Sequence, residues 1–115
     1  MSGFTYRNTK ISFPIVDETG AEIKTYTIDI GNERFLRDMQ AQGKTVVKDL
    51  DGMDSSDIAG AVVSLRSYVE LVFGAGEFDF LYSRFEQNVF AMIELVKAIT
   101  ETLEKAWKAR LAVHA

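Results

Sequence analysis

The residues of this 115-residue chain that could do chemistry are few and scattered. One histidine, His114, stands next to the end, and there is no cysteine to join it. A zinc site or an imidazole base needs convergent partners and a held position, and a lone histidine in a fraying terminus has neither. Asp49, Asp51 and Asp54 around Gly52 bear a superficial likeness to the start of a calcium loop. The glycine falls at the fourth position instead of the sixth, so the run reads as a solvated turn and helix cap. Gly74-Ala75-Gly76 is followed by no Lys-Ser or Lys-Thr, and it leaves a helix where a phosphate loop would enter one. Ser55, Ser56, Ser64, Ser67 and Ser83 lack a nucleophile elbow and a credible base. The expectation is a protein that is not an enzyme, with no catalytic residue, no cofactor and no metal.

The composition bounds the rest. Hydrophobic residues make up 47% and charged residues 26%, the balance of one globular domain large enough to close a single core. A net charge of -4 argues against a general binder of nucleic acid or anionic membrane, which needs concentrated Lys and Arg. The absence of cysteine fits a reducing compartment, and no apolar run has the length of a signal sequence or a membrane span. A cytoplasmic protein is expected.

The elements that must position any surface follow from periodicity. Residues 1–9 are a flexible start, and residues 10–112 form one α+β domain, mainly α. Ile11, Phe13 and Ile15 alternate with polar residues, and so do Tyr26, Ile28 and Ile30. With Asp17 to Gly20 as the turn, they predict a β-hairpin over 10–30, in which Pro14 requires an edge and Ile23 falls out of phase. Asn32 caps a helix over about 33–42 that ends by Gly43, and Lys44 to Leu50, ambiguous between helix and extended chain, fits a helix slightly better, so one helix with a break is expected. Ile58, Val62, Leu65, Val69 and Val72 step by four and three along a helix over about 55–73, stopped at Gly74. Residues 77–85 fit both periods, and their short span favours a small helix. Asn88 then opens the longest periodic stretch, a helix over about 88–111. Its stripe is Val89, Met92, Ile93, Val96, Ile99, Leu103, Ala106 and Trp107. The architecture is thus an N-terminal hairpin, three to four helices, and a long amphipathic helix last.

Such a helix cannot bury its stripe alone, so part of it is left for the core or for a partner. The aromatic segment 77–85 has two readings: a plug between the long helices, or one wall of an apolar groove for a partner helix. Phe78, Phe80, Tyr82, Phe90 and Trp107 are the contact candidates, and each also fits a core position.

Three stretches carry a family resemblance: residues 68–77 (YVELVFGAGE), 80–85 (FLYSRF) and 88–96 (NVFAMIELV). With the hairpin before them, they resemble the small tail assembly chaperones of long-tailed bacteriophages, over roughly residues 10–105. In those proteins a helix ending in Phe-Gly precedes a compact aliphatic and aromatic segment, and a polar cap opens a last helix. The basic end 107–115 is not part of that pattern. The resemblance implies a non-catalytic assembly factor in the host cytoplasm, a homo-oligomer that binds the tape-measure protein, helps recruit tail-tube protein, and is absent from the mature virion. A structural tail or connector protein and a helical regulatory adaptor are the alternatives.

Overall fold

In the computed structural model, which describes residues 3–51 and 55–114, a two-stranded antiparallel hairpin precedes four α-helices. Strands β1 (Lys10–Val16) and β2 (Glu22–Asp29) pair from Lys10 with Asp29 to Val16 with Glu22, and the register slips between Ile15 and Val16. The slip leaves Ile23 as the extra residue, which is why it falls out of phase. With two strands both edges are open, so Pro14 removes no bond that a central strand would need. Asp17 organises the turn. Its Oδ1 accepts from the Thr19 hydroxyl and amide and from the Ala21 amide, and Gly20 takes φ 86°.

Helix α1 (Glu33–Asp51) is one continuous helix, where the sequence reading ended it near residue 42. Gly43 does not terminate it. It is buried, and a β-carbon there would lie 3.4 Å from the Tyr68 ring, so it permits close approach to the next helix. At the start of α1, Asn32 Oδ1 accepts from the Phe35 amide at 3.0 Å, the expected cap.

A single 3-10 turn over Ser55–Asp57 leads into α2 (Ile58–Phe73), which is the centre of the molecule. Ala61, Leu65, Tyr68, Val69 and Val72 are buried, as their spacing requires, whereas Ile58 at the open end is exposed. Gly74 ends α2 at φ 116°, a conformation costly for any residue with a side chain, and its amide donates to the Glu70 carbonyl. The chain bends by 114° into α3 (Glu77–Arg84). Phe78 and Leu81 of α3 are fully buried, so the short aromatic helix plugs the core.

Between α3 and α4 (Val89–His114), Glu86 and Gln87 both hold positive φ, 57° and 56°. The Gln87 amide closes back on the Tyr82 carbonyl at 2.8 Å, so the turn is tied as well as strained. Asn88 Oδ1 then accepts from the Ala91 amide and starts α4. Met92, Leu95, Val96, Ile99 and Leu103 bury the first part of α4. Beyond Leu103 only the partly buried Ala106 still packs on the core among the described residues, and the helix continues. That projection accounts for a radius of gyration of 16.0 Å, against about 13 Å for a compact chain of this length.

Candidate functional site

Both α1 and α4 flank α2, and a groove of about 780 Å³ opens between them. Leu36, Met39 and Gly43 form the α1 wall, Tyr68 the floor, and Leu103 and Trp107 the α4 wall. The absence of a side chain at Gly43 is what leaves the Tyr68 ring as floor. Thr100 donates to the Val96 carbonyl at 2.9 Å, so the Tyr68 hydroxyl, 3.0 Å from Thr100 Oγ1, is the donor in that pair. Burial holds the Tyr68 phenol above its ordinary pKa, and its one polar atom is satisfied internally. The floor is therefore apolar in effect. Trp107 is 38% exposed and Leu111, one turn on, 52%, so the stripe of α4 continues past the core without a full cover among the described residues.

The rim is charged. Lys44 and Lys48 stand one turn apart on α1, both exposed and without an ion pair among the described residues. On α4, Lys108 pairs with Glu104 at 3.0 Å. The other end of the molecule has the opposite character. There a second depression between the hairpin turn and the start of α4 is lined by Asp17, Glu18, Glu86 and Glu94, with Arg84 as the only cation among its described lining residues.

The five aromatic candidates do not share one surface. Phe78 has no exposed area; it packs on Tyr82 with centroids 5.1 Å apart and lies under the Arg66 guanidinium at 4.5 Å. It is a core residue and offers nothing to a partner without unfolding α3. Tyr82 is half-buried beside it. Phe80 is 38% exposed, with the Lys24 ammonium 5.2 Å from its ring centroid. Phe90 is 76% exposed, but it lies roughly 26 Å along α4 from Trp107 at 1.5 Å per residue. Of the five, Trp107 alone lines the groove.

A clamp fixes α3 against the hairpin. Glu77 accepts from the Tyr26 hydroxyl at 2.7 Å and pairs with Lys24, and Tyr26 stacks on Phe73 at 3.9 Å. The Lys24 hydrogen bond, then that of Tyr26, holds the Glu77 carboxyl below its ordinary pKa. Burial first and Glu77 second push the Tyr26 phenol up. Arg66 on α2 adds an ion pair to Asp79 at 2.7 Å. These contacts make the segment 77–85 a fixed plug, not a movable wall.

The α1 wall was missed in the sequence because Gly43 was read as a stop. Leu36, Met39 and Gly43 are spaced three and four apart, and that signal was present. No group of three or more His, Asp or Glu side chains among the described residues is placed to hold a metal. Of the aspartate run, Gly52, Met53 and Asp54 lie outside the described residues, as do the side chains of Asp51 and His114. Among the described residues no single helix is long and apolar enough to cross a membrane.

Comparison with known proteins gives no match to a protein family, to a curated protein or to a solved structure. The reading of this site therefore rests on its own geometry and on the sequence pattern.

Proposed function

We propose that the protein is a non-catalytic tail assembly chaperone of a long-tailed bacteriophage. It docks helical segments of the tape-measure protein in the groove between α1 and α4 while tail-tube subunits are recruited. The observation that carries this reading is the groove itself, two helical turns of apolar wall on each side with an internally satisfied floor and an exposed tryptophan. A surface of this kind suits the apolar face of a helix and keeps an aggregation-prone client in solution. The resemblance supports the assignment. Residues 68–77 occupy the end of α2 and its glycine stop, 80–85 lie within α3 and its cap, and 88–96 begin α4. The chaperone acts in the host cytoplasm as an oligomer and leaves before the particle is complete.

Co-expression with a candidate tape-measure protein tests the proposal. Soluble yield of the client rises, and Trp107→Ala removes the gain. No change across several client fragments refutes the proposal, and recovery of the protein in purified virions by mass spectrometry favours a structural tail component instead.

A further inference from the structure

We infer that the groove selects an amphipathic helix of about three turns whose apolar face is flanked by carboxylates. This inference rests on the reading of the groove as a helix-docking site and adds the chemistry of the occupant. The length follows from the α1 side of the groove, wall and charged rim together, which runs from Leu36 to Lys48, roughly 18 Å at 1.5 Å per residue.

The charge follows from the rim. Lys44 and Lys48 are like charges at i and i+4 with no carboxylate partner among the described residues; the dipole at the end of α1 favours Lys48, and the mutual repulsion of the pair remains. Carboxylates on an occupant relieve it. The chain carries a net charge of -4, so it repels acidic helices in general, and the basic rim is a local exception that sets both place and orientation.

The same charges disfavour two of the exposed apolar segments that a second copy would offer. The exposed end of α4, with Trp107 and Leu111, is flanked by Lys105, Lys108 and Arg110, the same sign as the rim. The exposed N-terminal aromatics Phe4 and Tyr6 are followed by Arg7 and Lys10, again basic. Neither segment complements the groove.

The test is selection on the full-length protein from a yeast-displayed library of helices about four turns long, with leucines fixed on one face and the flanking positions varied among Glu, Gln and Lys. Glu is enriched beside the leucines. The selected peptide shifts Trp107 emission to the blue, binds more weakly as salt rises, and loses about tenfold or more in affinity to the Lys44→Glu, Lys48→Glu double variant. Both lysines are exposed, so the variant keeps its thermal transition, and it prefers Lys-flanked peptides. Enrichment of neutral or basic flanks overturns the inference and leaves helix docking standing. Failure to enrich any helix over a scrambled library overturns both. A Trp107 blue shift that grows with protein concentration in the absence of peptide, with dimer in sedimentation, assigns the groove to a second copy and overturns the inference.

Discussion

Replacing Gly43 with alanine tests the continuity of α1 and the origin of the groove together. Gly43 lies inside the helix, and it is not among the glycines with positive φ. A β-carbon there meets the Tyr68 ring at 3.4 Å, the short end of ordinary contact, so no neighbour has to move. An interior glycine costs a helix roughly 0.5–1 kcal/mol relative to alanine, through the backbone freedom it loses on folding. Gly43→Ala is therefore expected to stabilise the fold by about that amount, a rise in midpoint of roughly 2–4 °C for a domain of this size. Thermal unfolding followed by circular dichroism measures it. A larger side chain, as in Gly43→Leu, must enter the groove instead, displacing Tyr68 or any occupant. The control is Gly74→Ala, where φ is 116° and the strain on a side chain gives a loss of about 1–3 kcal/mol. If Gly43→Ala lowers the midpoint as Gly74→Ala does, residue 43 ends a helix, the α1 wall is broken, and the account of the groove is wrong.

Other outcomes follow from the same contacts. Phe78→Ala removes a fully buried ring and costs about 3–5 kcal/mol. Phe90→Ala, at 76% exposure, stays within about 0.5 kcal/mol, and chemical denaturation separates the two. Asn88→Ala removes the cap on the Ala91 amide and costs about 1 kcal/mol, read in the same assay. Asp17, Asp29 and Glu77 have folded pKa values below their ordinary 3.8 and 4.5. Their contribution is complete above those ordinary values and is lost as pH falls through the lower folded ones, so the melting temperature falls with pH below about pH 4. Glu77→Gln shows a smaller acid-induced drop than the parent, and an equal drop contradicts the role given to Lys24 and Tyr26.

Much of the fold was legible where the chain solves a local problem. The Asp17 turn, the Asn32 and Asn88 caps and the Gly74 stop each satisfy backbone groups within a few residues, so residue type and position suffice to place them. The misfit of Ile23 with its strand's period leaves a bulge or a two-sided end open, and the register slip decides for the bulge. Gly43 was misread because glycine has two uses, ending a helix and admitting a neighbour, and only the position of Tyr68 decides between them. Phe78 and Phe80 were indistinguishable in sequence. The aromatic run fits both periods, and Phe78 is buried because it faces the core shared by the other elements while Phe80 points away from it. The groove was legible only at its α4 wall, through Trp107. Its other wall depends on how α1 and α4 are spaced over α2, a tertiary quantity that no local pattern encodes.

The central claim, that a helix docks between α1 and α4, is tested most directly by methyl NMR of the methionines during titration with a selected acidic helix. Met39 lies on the groove wall and Met92 is buried in the first turn of α4, away from it. The account predicts that the Met39 methyl resonance moves in step with Trp107 emission while that of Met92 stays in place. A peptide that binds with Met39 unmoved, or that shifts Met92 alone, contradicts it.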